Sequence, residues 1–231
     1  MTTLLKGGVT TEDPRLDRVP WEDPRSLALF GVAPLVEAKQ PRSFTWRSGP
    51  VTDQGREGAC VGHAWTGELT ARPKPVFIPD PNDFAYRFYK YIQTLDEEPG
   101  EAYSGTSILA GAKAASARGY LEEYRWAKDL DDLVLAVGYI GPAVIGVDWF
   151  DGMYEAPKGV LKVKGKKVGG HALLVRGVNV TRRTAIIRNS WGMEWGRMGD
   201  AEMGWDELGW LLRQPYADAC IPISRLMPKP A

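Results

Sequence analysis

Apolar residues between positions 55 and 140 recur at the spacing of helices. Val61, Ala64, Trp65 and Leu69 fall at positions i, i+3, i+4 and i+8, so they share one face of a helix that opens at Cys60. Comparable spacing follows in three later segments, one of which is rich in Ala and Gly. The pattern predicts four helices, at 60–71, 84–95, 107–118 and 130–137.

Beyond Gly141 and Pro142 the pattern changes to short runs of Val, Ile and Leu that are separated by Gly, Asp and Lys. Runs of this kind are typical of β-strands. They predict strands at 143–149, 160–163, 171–178 and 184–188. Because the helices come first along the chain and the strands second, we expect an α+β fold. In that fold an N-terminal helical lobe packs against a C-terminal antiparallel β-sheet or barrel lobe.

The first forty residues show neither periodicity and are rich in Pro, Asp, Arg and Glu. This composition favours an extended N-terminal arm over residues 1–40, followed by one domain over 41–231. Within that domain we expect the helical lobe at about 55–140 and the β lobe at about 141–231. The arm has two interpretations. It is a solvated tail whose few apolar residues pack back on the body, or a docking arm that orders on a protein partner or covers a cleft.

Composition and charge exclude several classes of protein. The chain has 231 residues, of which 44% are apolar and 25% charged, as in an ordinary soluble globular protein. Its 29 basic residues balance 29 acidic ones, so no global field draws it to nucleic acid or an anionic membrane, and we expect neither as a partner. The sequence shows no signal-peptide stretch and no apolar run of membrane-spanning length. We therefore expect a cytoplasmic protein.

The last two predicted strands flank a short polar stretch at 179–183, which predicts a hairpin. In a hairpin centred on Val180, His171 lies opposite Asn189 to within a residue or two. The asparagine oxygen can accept the N–H of one ring nitrogen, which orients the imidazole and leaves the other nitrogen free to meet a nucleophile. The pair is therefore a candidate for catalysis.

Cys60 is the candidate nucleophile. It follows a loop at 55–59 and opens the first helix, where free N–H groups and the helix dipole favour a thiolate. Cys220 is the only other cysteine, so the chain has no disulfide framework, which fits a reducing compartment. The alternative for a lone cysteine is an inert, buried side chain.

Three segments are recognisable in sequence order. The residues Val-Thr-Asp-Gln-Gly-Arg-Glu-Gly-Ala-Cys at 51–60 resemble the segment around the active cysteine of papain-like peptidases. Gly-His-Ala at 170–172 and Asn-Ser-Trp-Gly at 189–192 are similar to the histidine and asparagine segments of the same family. The resemblance runs from about residue 43 to 203. The chain resembles compact members of this family, of bacterial or phage type, that have no signal peptide or long propeptide.

The resemblance implies two lobes with an active-site cleft between them and a cysteine peptidase that acts on a peptide or protein substrate. Cys60 would be the nucleophile, His171 its proton partner and Asn189 the residue that orients His171. Gln54 would donate to the oxyanion beside the Cys60 backbone N–H. The other residues implied are Trp191 and Trp195, which would support the histidine, and Gly105 and Gly170, which would line the substrate groove.

The sequence also departs from the family pattern. Val61 stands where the family usually has Trp, and Glu57 stands where it usually has a half-cystine. The absence of that cysteine suits a reducing compartment. His171 follows Cys60 sooner than in the plant and lysosomal enzymes, so we expect shorter loops between the lobes. The forty-residue arm is too short to resemble the family's helical propeptide, so we expect no long propeptide before the domain.

Other functions remain open at this point. An amidase, isopeptidase or transpeptidase acting on a cell-wall peptide would use the same residues. A peptidase fold used as a structural or binding component, for example in a phage virion docked through the arm, belongs to another class. Two histidines and two distant cysteines are too few for a metal site, so we expect no metal and no cofactor. We expect His63 to be a packed core residue and the basic run at 162–167 to be a solvated hairpin tip.

Overall fold

The structure is a computed structural model that describes residues 3–4, 10–11, 13–20, 31, 33–36, 40–96 and 104–226. These residues form an α+β fold with two lobes, one built on helices and one on an antiparallel sheet. The fold class expected from the sequence is confirmed.

Side chains at the helix starts explain where most of the helices begin. Asp80, Ser107 and Asp129 accept hydrogen bonds from first-turn backbone N–H groups of the second, third and fourth helices. The first helix is preceded by Ala59, which has no polar side chain, so its first-turn N–H groups remain available to the cleft. The helices are α1 Cys60–Leu69, α2 Pro81–Gln93, α3 Ile108–Ala117, α4 Leu130–Tyr139 and α5 Trp205–Leu212.

Seven strands form the main sheet, and every pairing in it is antiparallel. Two further strands, β1 Thr3–Leu4 and β2 Thr10–Thr11, pair with each other. The strands of the main sheet are β3 Phe44–Thr45, β4 Tyr124–Trp126, β5 Ala143–Phe150, β6 Lys167–Asn179, β7 Thr184–Arg188, β8 Asp200–Gly204 and β9 Asp218–Pro222. Their order is β4-β9-β5-β6-β7-β8, with β3 beside β6. The last strand of the chain therefore lies between β4 and β5.

The sheet carries a hydrophobic core on each face. On β6, Ala172 and Leu174 belong to the core under α1 and α3, whereas Leu173 and Val175 belong to the core under α4 and α5. This alternation is what a strand buried on both faces requires. Helix α1 packs directly on β6. The start of that helix is thereby brought against the middle of the sheet.

The second lobe differs from the sequence expectation in its elements. The expected strand at 160–163 is wrong. Among the described residues, Val160 forms a single bridge to Glu202, and Lys162 turns outward to an ion pair with Glu207. The apolar residues of that run reflect the burial of Leu161 in the core rather than strand pairing. Strands β4, β8 and β9 are short and mixed in composition, and the sequence pattern indicates neither them nor α5.

The hairpin of β6 and β7 forms, but its register is shifted. Leu174 pairs with Arg188 and Asn179 pairs with Thr184, with a bulge between Val175 and Gly177. The backbone of His171 is therefore not paired with that of Asn189. The bulge and the longer turn account for the two to three residues of difference.

Candidate active site

Cys60 lies at the first position of α1 and is fully buried. The backbone N–H of Ala172, in the middle of β6, lies near its Sγ and favours the thiolate, which opposes the effect of burial on the pKa of the thiol. Since Ala172 follows His171 directly, helix α1 and strand β6 bring the predicted nucleophile and the predicted histidine to the same place. The local geometry of each segment is simple, but their meeting depends on the packing of the two lobes.

His171 is held in one orientation by Asn189. The ring Nε2 donates to Asn189 Oδ1 at 2.8 Å, and the same oxygen accepts the backbone N–H of Ser190 at 2.7 Å. Because that oxygen can only accept, the hydrogen bond assigns the proton to Nε2 in the neutral ring. The other nitrogen, Nδ1, faces the cleft without a proton. This is the arrangement a base needs.

Two tryptophans flank the imidazole, and a third packs behind one of them. The Trp191 and Trp149 rings lie 5.1 and 4.8 Å from the His171 ring, centroid to centroid, and Trp195 packs against Trp191 at 6.3 Å. His171 and Asn189 are both buried, so the hydrogen bond between them is out of contact with solvent. The sequence indicated Trp191 and Trp195 but not Trp149. Trp149 comes from the predicted strand at 143–149, and only the order of strands shows that it lies beside His171.

Gln54 is anchored so that its amide faces the cleft. Its Oε1 accepts from Ser190 Oγ at 2.7 Å, and its backbone N–H donates to the Ser190 carbonyl at 2.9 Å. Its Nε2 donates to the Glu57 carbonyl at 2.7 Å. Ser190 thus fixes the direction of a side chain far away in the sequence. Ser190 belongs to the Asn-Ser-Trp-Gly motif at 189–192, but the sequence alone indicates no role for its side chain.

Residues 13–19, which we call the arm segment, lie in the cleft. The Arg15 carbonyl oxygen is 3.4 Å from Gln54 Nε2 and 3.3 Å from His171 Nδ1. Farther along, Arg18 N–H donates to the Gly170 carbonyl at 3.3 Å, and Val19 N–H donates to a carbonyl of the opposite wall at 2.9 Å. Of the two interpretations of the arm, the described residues therefore match the one in which it covers the cleft.

Three glycines of the cleft leave room for the arm segment. A Cβ at Gly105, whose φ is +88°, would lie 1.8 Å from the Asp17 carbonyl oxygen. A Cβ at Gly58 would lie 1.7 Å from the Asp17 carboxylate, and one at Gly170 would lie 3.0 Å from the Arg18 carbonyl oxygen. The two glycines that the sequence placed at the groove, Gly105 and Gly170, are thus both in contact with the bound peptide segment. Their role toward a substrate remains a prediction.

Burial sets the charge state of the site while the arm segment is bound. It raises the pKa of the Cys60 thiol to about 12, helped by the nearby Asp17 carboxylate. Burial also lowers the pKa of His171 to about 4, although the hydrogen bond with Asn189 opposes it. With the arm in place, Cys60 is therefore a thiol and His171 a neutral imidazole.

The other candidate residues take structural positions. His63 is buried, and burial lowers its pKa to about 4. Cys220 is a buried free thiol in the helical core. At the two ends of the basic run, Lys162 forms an ion pair with Glu207 and Lys167 forms one with Asp148. Within the described ranges, no group of three or more His, Cys, Asp or Glu side chains is arranged to hold a metal ion, and no helix is long and apolar enough to cross a bilayer.

The family follows from a direct comparison. The model of the papain family of cysteine proteases matches residues 82–208, more than half of the chain. The chain therefore belongs to the papain family. The matched residues include His171 and Asn189, whereas Gln54 and Cys60 precede them.

Individual relatives agree with this assignment. Cathepsin K of Gallus gallus is 29% identical over 217 residues, covering 79% of this chain and 64% of that protein. The chain spans between 56% and 64% of the length of the curated relatives it matches. Two solved structures share the fold. Xylellain, a cysteine protease from Xylella fastidiosa, has a TM-score of 0.66 at 17% identity, covering 94% of this chain and 98% of that one. Procathepsin B S9 from Trypanosoma congolense has a TM-score of 0.65 at 13% identity, covering 93% and 88%.

Proposed function

We propose that the protein is a cysteine peptidase that hydrolyses peptide bonds with Cys60, His171, Asn189 and Gln54. One observation carries the proposal. A peptide carbonyl, that of Arg15, already lies between Gln54 Nε2 and His171 Nδ1 at 3.4 and 3.3 Å. A substrate carbonyl in that position would have an amide donor on one side and a base on the other.

The first half of the reaction transfers the acyl group to sulfur. Once the arm segment leaves and water enters, the Cys60 S–H proton passes to His171 Nδ1, and the thiolate attacks the carbonyl carbon. The negative charge that develops on the carbonyl oxygen is stabilised by Gln54 Nε2 and the backbone N–H of Cys60. The imidazolium then gives its proton to the leaving amine as the C–N bond breaks.

The second half returns the enzyme to its starting state. Water loses a proton to His171 and attacks the thioester carbonyl, and the C–S bond breaks to release a carboxylic acid and the Cys60 thiolate. Asn189 keeps the ring aimed at sulfur throughout, since its oxygen accepts the Nε2 proton in both charge states of the imidazole. No metal or organic cofactor takes part in this scheme.

The enzymatic alternatives differ in the amide bond that is cleaved or, for a transpeptidase, in the amine that replaces water in the second half. An amidase, isopeptidase or transpeptidase on a cell-wall peptide would share the first half of the reaction, and no contact in the described chain favours one of them. A peptide or protein substrate is therefore the proposal. A protein partner for residues 1–40, a role in a phage assembly and a cytoplasmic location remain predictions from the sequence.

Active-site labelling tests the proposal on the full-length protein. A peptidyl electrophile should attach to Cys60, as located by mass spectrometry, and fluorogenic peptides should be cleaved. Cys60→Ala should abolish the label and lower kcat/KM by about 10⁴-fold. Cys220→Ala is the matched control because Cys220 is an equally buried free thiol, and it should leave both signals unchanged. A label on Cys220, or cleavage that survives in Cys60→Ala, would refute the proposal.

A further inference from the structure

A small cavity lies between helix α1 and the residue that orients His171. Its walls include His63 of α1 and Asn189, together with apolar residues of α1 and β6. The volume open to the centre of a water molecule is about 10 Å³. This is room for one water molecule, provided that polar groups are there to bind it.

The Asn189 carboxamide is satisfied at its oxygen only. Its Oδ1 accepts from His171 Nε2 at 2.8 Å and from the backbone N–H of Ser190 at 2.7 Å. Its Nδ2, in contrast, is buried and has no hydrogen-bond partner in the described part of the chain. Asn189 is 3% exposed, and an amide nitrogen carries two N–H donors. Burying both of them unpaired is costly, so Nδ2 needs an acceptor in the cavity.

His63 has an unpartnered atom at the same cavity. Its Nδ1 is buried and forms no hydrogen bond within the described residues, and the residue is 4% exposed. Burial lowers the pKa of His63 to about 4, so the ring is neutral at physiological pH. In the neutral ring one nitrogen carries the proton and the other accepts. With the proton on Nε2, His63 has an acceptor where Asn189 has a donor.

One water molecule can satisfy both atoms. It would accept from Asn189 Nδ2 and donate to His63 Nδ1, and Thr52, which also lines the cavity, carries a hydroxyl group that can receive its second hydrogen. We propose that His63 is a positioning residue, which through this buried water holds the carboxamide of Asn189 and so keeps its Oδ1 on His171. This inference rests on the proposed peptidase function and adds a residue to it.

The bridge acts on His171 in two ways. It restrains the plane of the Asn189 carboxamide, so Oδ1 stays on the line of the Nε2 proton when the imidazole changes charge. It also polarises the carboxamide, because an amide whose N–H is hydrogen-bonded has a stronger acceptor oxygen. Both effects favour the imidazolium, the form that accompanies the Cys60 thiolate. Loss of the bridge should therefore lower the pKa of the imidazolium in the working enzyme.

The first test locates the water without catalysis. A crystal structure of the full-length wild type at about 1.5 Å resolution should show one water within about 3.2 Å of both His63 Nδ1 and Asn189 Nδ2. The same water should be present in His63→Asn, whose side-chain oxygen takes the place of Nδ1, and absent from His63→Leu. If the cavity of the wild type holds no water that contacts both atoms, the inference is overturned.

The second test measures the positioning. Leucine and asparagine have the same branched shape, but only asparagine carries an acceptor. With a fluorogenic peptide, His63→Leu should lower kcat about tenfold with little change in KM. The pH above which kcat/KM falls should also move down by about half a unit or more. His63→Asn should restore most of kcat and of the pH profile. An equal loss in both variants would overturn the inference.

Thr66→Val is the control for a general weakening of α1. Thr66 is a buried residue of the same helix whose Oγ1 donates to the Gly62 carbonyl at 2.7 Å, and it is not among the residues that line the cavity. Its substitution should lower Tm and leave the pH profile unchanged. A shift of the pH profile as large as that of His63→Leu would assign the effect to the helix and refute the bridge.

The tests separate the possible failures. Cleavage with a pH profile that His63→Leu does not move refutes the inference and leaves the peptidase proposal standing. An ordered water without cleavage by any variant, the wild type included, refutes the peptidase proposal and, with it, the role of His63 in the reaction. If His63→Leu does not fold, the water in the wild type and in His63→Asn decides the question.

Discussion

Among the described residues, Arg225 and Arg18 are the most deeply buried arginines that pair with a carboxylate, and they are held in different ways. Arg225 pairs with Glu68 and also donates to three backbone carbonyls, those of Glu68, Leu69 and Lys74, at 3.0, 3.0 and 3.1 Å. Arg18 pairs with Asp218 and donates to a single backbone carbonyl. The first guanidinium is tied into the body of the helical lobe, whereas the second belongs to a segment that lies in the cleft.

The difference separates an ion pair that belongs to the fold from one that forms only with the arm segment in the cleft. Removing Arg225 would leave the buried Glu68 carboxylate without its cation and would remove three hydrogen bonds to backbone carbonyls. Withdrawing Arg18 would leave the Asp218 carboxylate, at the side of the cleft, without its cation. We therefore expect substitutions at the first pair to change the stability of the whole protein, and substitutions around the second to change the occupancy of the cleft.

Arg225→Met gives the largest expected effect. It leaves the fully buried Glu68 without its cation, and burial already raises the pKa of that carboxyl. We expect the free energy of unfolding to fall by about 3–5 kcal/mol, measured by urea denaturation. The double variant Glu68→Leu with Arg225→Met should recover part of the loss, because both charges are then absent. A double variant no more stable than the single one would argue against this account.

Asp17→Asn should change the pH dependence of stability. Burial raises the pKa of Asp17 to about 7, although the hydrogen bond from Ser104 opposes it. The bound arm segment therefore favours the protonated carboxyl. The stability that the protonated Asp17 carboxyl contributes to the folded protein is complete below pH 3.8, the ordinary pKa of this group. It is lost as the pH rises to about 7. The asparagine variant should be more stable than the wild type by about 2–4 kcal/mol at pH 8 and equal to it near pH 4.

Asp13→Asn is a control in the same arm segment, for which we expect the opposite dependence of stability on pH. Burial raises the pKa of Asp13, but hydrogen bonds from Arg15 outweigh it and hold the pKa below its ordinary value. This substitution should therefore lower stability at neutral pH and have little effect at low pH. Urea midpoints measured from well below pH 3.8 up to pH 8 report both variants, because the contribution of Asp13 is lost only below its ordinary pKa. Parallel curves for Asp17→Asn and the wild type would contradict the assigned titration.

Gly58→Ala has the smallest expected effect. Its Cβ would collide with the Asp17 carboxylate, so the arm segment should spend more time out of the cleft. We expect the rate of Cys60 alkylation by iodoacetamide at pH 7 to rise roughly tenfold, since exposure lowers the pKa of the thiol. Gly204→Ala, whose Cβ would come no closer than 3.4 Å to its nearest neighbour, should not change the rate. An unchanged rate in Gly58→Ala would mean that the segment does not control access to Cys60.

The sequence predicts the first four helices, the two-lobed fold and the candidate residues at the centre of the site because these depend on local patterns. Cys60 opens a periodic segment, and Asn189 follows a strand that turns back on the strand of His171. The exact register was not predictable, because the bulge near Arg176 has no signature in the apolar pattern. The side chains of His171 and Asn189 meet nevertheless, since both extend from neighbouring strands toward the same space.

The rest of the cleft depends on contacts between distant parts of the chain. Asp218 lies beside Gly146 only because β9 inserts between β4 and β5, and no pattern within β9 indicates that position. The place of Arg18 depends on glycines in several separate loops and strands. A composition rich in Pro, Asp and Arg shows that a segment is extended, but it does not show which surface the segment contacts.

The hydrogen bond between Arg18 and Gly170 has a consequence for the order of folding. The two residues are about 150 positions apart, and contacts of such long separation form late because closing the loop between them costs entropy. Both lobes and the β5 to β7 meander must assemble before the arm segment has a groove to enter. We therefore expect a stage in folding at which the cleft is complete and Cys60 is uncovered, before the arm segment closes it.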